Sequence, residues 1–226
     1  MSKGAWGTYN AAAYIEPFIL YWVLFLPSWV FSSPDTAAYA FSINQELARI
    51  FTYNISSLAL IWYLLLHTGR LFSSLSDLRP RPRDLVTVFF ALPCLLVLGA
   101  LVSLAGTLFP APVSAPDIGV PQGLAAFLVM ILSCLSTGYL EESYFRFYLF
   151  TRFKQGGIGP VKAMIVSSIL FALCHVYEGP LGALNALLAG LLLFFIFSRR
   201  RSLHGIAWAH GAYNIFVYVM AGITGG

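Results

Sequence analysis

Charge is what this chain has least of. Only 10% of its 226 residues are Asp, Glu, Lys or Arg, against about 25% in an average soluble domain. Hydrophobic residues make up 59% and the mean hydropathy is +0.79, which excludes an ordinary soluble domain and implies a polytopic membrane protein. Cysteine is also scarce: Cys94, Cys134 and Cys174 are the only three, far apart and each inside an apolar segment. With no CxxC spacing, a zinc knuckle or a disulfide framework is unsupported, and the thiols are expected to be buried, reduced packing residues. HExxH is absent, and so is any internal repeat or the paired broken helices of a transporter. Met1 to Tyr14 lacks the pattern of a signal peptide, so the first apolar run is expected to be a retained anchor. The net charge of +4 would point to nucleic acid only if it lay on one soluble face. Instead the basic residues fall between apolar runs, where they orient the protein and meet anionic lipid. No nucleic-acid partner is expected; the bilayer is.

A helix needs about 20 apolar residues to cross the hydrocarbon core. On that rule the predicted spans are 15–33, 44–68, 85–108, 122–150, 160–177, 181–198 and 204–223. They make an all-α transmembrane bundle of seven to eight helices, one integral membrane domain over residues 1–226. Asn44-Gln45-Glu46 is expected to cap the second span, Pro93 to kink the third, and the four-proline connection Phe109–Pro121 to form an external loop. The stretch 122–150 would be about 43 Å long as a helix, enough to tilt, to continue past the interface, or to break near Gly138. With the N-terminus in the cytoplasm, eleven of the thirteen basic residues lie on the cytoplasmic side: Lys3, the arginines at 70, 79, 81 and 83, Arg152, Lys154, Lys162, and Arg199 to Arg201. The positive-inside rule asks for that asymmetry. Arg49 and Arg146 are the exceptions.

Arg146 has company. Glu141, Glu142 and Arg146 stand together inside a predicted span, where each charge opposes insertion by roughly 2.5–3.5 kcal/mol. Intramembrane ionisable clusters mark functional sites. Residues four apart share a helix face, so Glu142 meets Arg146 as an ion pair and Glu141, about 100° around the helix, is expected to face elsewhere, towards a cavity. The remaining sparse polar residues follow the same spacing: Phe171-Ala-Leu-Cys-His175 closes the fifth span, and His210-Gly-Ala-Tyr-Asn214 lies in the seventh. A carboxylate in a low-dielectric cavity can act as general base on water. One histidine can share the positioning of that water, and a second histidine with an asparagine amide can donate to an oxyanion. Those are the parts of an amide hydrolase.

In these residues the chain resembles the CPBP family, the membrane proteases related to CAAX-processing endoproteases and bacteriocin-processing, Abi-like proteins. The family motifs EExxxR, FxxxH and HxxxN stand here as Glu141-Glu142-Ser-Tyr-Phe-Arg146, Phe171–His175 and His210–Asn214, in order, within about 138–215. The resemblance implies a glutamate-dependent intramembrane endopeptidase cutting near the membrane-associated, C-terminal end of a protein substrate. By motif position Glu141 is the base, His175 its partner on the water, and His210 and Asn214 the oxyanion donors. Glu142, Arg146 and Phe171 support the site. It further implies a membrane-anchored or C-terminally tagged substrate, a multi-pass protein of a prokaryotic inner or plasma membrane, and compatibility with the myxosortase-type subgroup.

Three other readings stand beside it. The family includes chains thought to be non-catalytic scaffolds or immunity proteins, for which the same polar residues would be structural clamps. Zinc held by Glu141, His175 and His210 with an open position for water is the second; metal-free catalysis is favoured because Asn214 suits an oxyanion better than a zinc ion. A proton-coupled carrier using the buried glutamate is the third. His67 and His204 read as interfacial, Glu178 as a loop cap, and Gly182 with Gly190 as a close helix contact.

Overall fold

The computed structural model describes residues 11–31, 41–68, 79–108 and 119–224. All regular structure among them is helical: α1 (Ala11–Phe31), α2 (Ile43–Ala48), α3 (Ser56–Thr68), α4 (Pro82–Leu108), α5 (Gly123–Glu142), α6 (Leu149–Gln155), α7 (Pro160–Leu173), α8 (Gly179–Arg200) and α9 (Leu203–Thr224). Two π-helical segments, Arg49–Ile55 and Ser143–Tyr148, fuse α2 to α3 and α5 to α6. The all-α bundle is as expected. The Phe109–Pro121 loop falls mostly outside the described residues, as do Lys3 and Arg70.

Five helices are long and apolar enough to cross a membrane: Ile43–His67, Pro82–Leu108, Gly123–Gln155, Val176–Arg200 and Leu203–Ile223. Ala13–Phe25 and Pro160–Leu173 are shorter apolar helices. The fifth predicted span is therefore reduced to the 14 residues of α7, about 21 Å of helix against a hydrocarbon core of about 30 Å. The long fourth span does not break near Gly138. It runs unbroken for 33 residues, with the π segment inside it. Pro93 likewise lies within an uninterrupted α4.

Burial is inverted relative to a soluble protein. Phe89, Leu108 and Leu124 are 73%, 67% and 75% exposed, whereas Arg146 and Glu142 are completely buried. Only an apolar solvent makes that arrangement favourable, because lipid accepts the aromatic surface and the bundle interior must shelter the charges. Cys134 and Cys174 are buried and free, as expected. Cys94 is not: it faces outwards from α4, where a small apolar thiol is at home in lipid.

The core gathers around the π segment. Its wider turn presents more of the circumference to neighbours, and every side chain from Glu142 to Phe153 is buried except the half-buried Phe147. Phe145 packs edge-on to Phe171 of α7 at 5.1 Å between centroids, and Phe25 of α1 lies 4.9 Å from both Tyr144 and Phe145. Polar tethers fix α1 in place: Glu16 accepts from Tyr148 and Arg152, and Tyr144 donates to the Pro17 carbonyl at 2.6 Å.

Glycine decides how closely α5 and α9 cross. A Cβ on Gly138 would stand 2.8 Å from the Ala207 carbonyl oxygen and 3.0 Å from the Gly211 nitrogen. One on Gly211 would meet the Leu135 side chain at 2.9 Å. Both positions need to be bare for these backbones to touch. Gly190 plays the same part between α8 and Ser168 of α7, as expected, whereas Gly182 faces Glu178 at the start of its own helix.

Candidate active site

The Gly138–Gly211 crossing lies less than one turn from Glu141 on α5 and one residue from His210 on α9. That proximity brings three titratable groups together. His210 Nδ1 is 2.8 Å from Glu142 Oε1, and its Nε2 is 3.5 Å from Glu141 Oε2. Glu142 Oε2 lies 3.1 Å from Arg146 Nε. The predicted Glu142–Arg146 pair is therefore present, formed across the start of the π segment. Glu141 departs from the expectation that it faces away from its neighbour. Both carboxylates reach the same imidazole, because α9 approaches closely enough for one flat ring to span the 100° between them.

Arg146 carries its charge with little polar company. Its Nε meets Glu142 at ion-pair distance without hydrogen-bond alignment, and none of its three guanidinium nitrogens has a hydrogen-bond partner among the described residues. Its plane instead lies 4.3 Å from the Phe171 ring centroid, with Phe145 at 5.7 Å. A desolvated cation over an aromatic face is attracted by the ring quadrupole.

Phe171 links the three motifs. Besides Arg146 it touches the His210 ring edge-on at 5.8 Å and the His175 ring at 4.5 Å. His175 itself sits in the turn after α7, half-buried, with Nδ1 2.7 Å from the Phe171 carbonyl oxygen. A carbonyl can only accept, so Nδ1 carries the proton, and in the neutral ring Nε2 keeps its lone pair. The ring is thereby set to accept a hydrogen bond from water. Asn214, half-buried one turn along α9 from His210, shares its face.

The zinc reading needs Glu141, His175 and His210 around one ion. Among the described residues no group of three or more His, Cys, Asp or Glu side chains is placed to hold a metal ion.

Several polar contacts at this site were not foreseen. Trp62 of α3 donates to Ser143 Oγ at 3.3 Å, directly after the glutamates, and the Tyr139 hydroxyl lies 2.9 Å from His204 Nδ1. His204, expected at the interface, is thus half-buried and partnered. The available signal was Tyr139 itself, a polar tip two residues before Glu141.

Fold and site together define a polytopic helical membrane protein with a buried carboxylate–histidine centre. Residues 123–216, from the start of α5 into α9, match the family model described as Rce1-like: Type II CAAX prenyl endopeptidase Rce1-like. That block is fewer than half of the 226 residues, and the match is in keeping with the resemblance its three motifs carry. No curated protein and no solved structure matches the chain.

Proposed function

We propose that the protein is a glutamate-dependent intramembrane endopeptidase that cuts a peptide bond near the membrane-associated, C-terminal end of a protein substrate. The observation that carries this reading is the buried Glu141–His210–Glu142–Arg146 chain on the matched block. Glu141 takes a proton from water held between it and His175 Nε2, and the water oxygen bonds to the substrate carbonyl carbon. The carbonyl oxygen becomes an oxyanion that accepts hydrogen bonds from His210 Nε2 and the Asn214 amide. For that role His210 carries a proton on both ring nitrogens: one donated to Glu142, the other to the oxyanion. Glu141 then hands its proton to the departing amine as the carbon–nitrogen bond breaks. Glu142 and Arg146 are positioning residues, holding the imidazole in plane.

Catalysis on this reading uses no metal. Purified protein that keeps its activity in chelator, with no stoichiometric zinc, supports it; zinc whose removal abolishes cleavage sinks it. The basic loops support a cytoplasmic N-terminus. The substrate is a membrane-anchored or C-terminally tagged protein.

The same contacts also support a scaffold, since His210 ties α9 to α5 through two carboxylates. Comparing protein termini in membranes carrying wild type or Glu141→Gln separates the two. New termini seen only with wild type establish proteolysis and name the substrate. Identical termini, with both proteins equally abundant, favour the scaffold.

A further inference from the structure

A second feature lies away from the glutamates, at the end of the bundle where α4 begins and α8 turns into α9. A small open cleft is lined there by Arg79, Arg81, Arg83 and Arg201, with Trp62 and Phe147 on its wall. Asp84 is the one acidic residue of the lining. It is 3% exposed and accepts from the Arg81 backbone N–H at 2.6 Å and from the Ser202 hydroxyl at 2.5 Å. Its role is therefore to cap α4 and to tie the two arginine-bearing segments together. Its oxygens accept from those donors, and Arg79, Arg83 and Arg201 bring positive charge to the same lining.

Arg201 is held in place. It takes a left-handed backbone conformation, φ 51°, which ends α8, and its guanidinium lies over the Phe150 ring at 4.9 Å. Arg79 and Arg83 are exposed and belong to the same lining. Several guanidinia on one cleft present more donors than the two oxygens of a carboxylate can use, whereas a phosphate group offers acceptors in several directions. The setting fits too. Both arginine segments stand at the ends of candidate spans, and Trp62 stacks on Phe147 with planes 9° apart, an apolar wall beside the charges. Basic pockets between helices at this level bind phosphate-bearing headgroups.

We propose that this cleft is a binding site for the phosphate group of an anionic ligand, either a membrane phospholipid headgroup or free phosphate. The proposal is independent of the peptidase reading. Native mass spectrometry of the purified full chain with phosphatidylglycerol or phosphatidylcholine tests it, alongside the double variant Arg79→Gln/Arg83→Gln. A control, Lys154→Gln/Lys162→Gln, removes equal charge from exposed positions elsewhere.

The expected result is preferential retention of phosphatidylglycerol, lost on the order of tenfold in the arginine pair and kept in the lysine pair. Displacement by millimolar inorganic phosphate assigns the site to free phosphate, and resistance to displacement assigns it to lipid; either outcome upholds it. Equal retention of the two lipids overturns the proposal. So does equal loss in the two double variants, or displacement by a peptide with a free C-terminal carboxylate but not by its amide. The charge-conserving Arg79→Lys/Arg83→Lys pair keeps the test decisive if the glutamine pair is unstable. It retains the charge, loses the planar fork, and should fall between wild type and the glutamine pair.

Discussion

The two halves of the continuous Gly123–Gln155 span carry two polar clusters built on opposite plans. In the first half, Ser133 donates to Glu46 at 2.6 Å and accepts from Arg49, which also pairs with Glu46 at 2.6 Å. Asn54 donates to Ser136 at 2.7 Å and to Thr137 at 3.1 Å. This network stitches α5 to α2 and its π segment, and only the Asn54 carbonyl oxygen is left buried without a partner. In the second half, Glu141, Glu142 and Arg146 leave five buried nitrogen or oxygen atoms without a hydrogen bond. A cluster that only holds helices together saturates its own donors and acceptors. On the proposed mechanism the second cluster also binds a reacting water, and of the five atoms Glu141 Oε2 is on the residue that would hold it.

The sharpest way to break that contrast is Glu141→Gln. On the proposed mechanism it removes the general base, and cleavage should fall by about 10²–10⁴-fold or more while insertion and melting temperature stay near wild type. Product termini and thermal unfolding, measured together, check it; retained cleavage defeats the mechanism. Arg146→Met should act on stability as well as rate. It leaves the buried Glu142 charge with His210 alone, a loss of up to about 3–5 kcal/mol, read as a lowered unfolding temperature in detergent.

Gly138→Leu tests the crossing itself. The new side chain collides with the Ala207 carbonyl, so a destabilisation of about 1–3 kcal/mol is expected, together with loss of cleavage through separation of Glu141 from His210. Cysteine crosslinking between α5 and α9 would report the separation, and a fully active variant would show that the close approach is dispensable. The smallest effect belongs to the first cluster. Ser133→Ala should cost about 0.6 kcal/mol, the average for a hydrogen bond between membrane helices, with cleavage unchanged. A large loss of activity there would erase the distinction between the two halves.

How legible these features were in the sequence depends on range. The Glu142–Arg146 pair and the shared face of His210 and Asn214 follow from i, i+4 spacing alone. So does the lipid-facing character of α4, whose apolar run is long. The Glu46–Arg49–Ser133 network was not visible, although Arg49 was already an outlier to the charge asymmetry; its partner lies 84 residues away on another helix. The Glu16 tether to Arg152 spans 136 residues and was equally hidden. The cap expected from Asn44-Gln45-Glu46 became a cross-helix ion-pair network for the same reason: Glu46 found a better partner in space than in its own first turn.

By itself the sequence determined that this is a helical membrane protein, which residues are too polar to face lipid, and which of them share a helix face. Those outcomes rest on hydropathy and helical period, both local properties of the chain. Only the tertiary structure decided that Glu141 and Glu142 clasp one imidazole, that Phe171 joins the three motifs, and that arginines from two turns line one cleft. Each depends on how closely two helices approach. At the α5–α9 crossing that distance was set by two missing side chains, Gly138 and Gly211, whose meeting no local pattern announces.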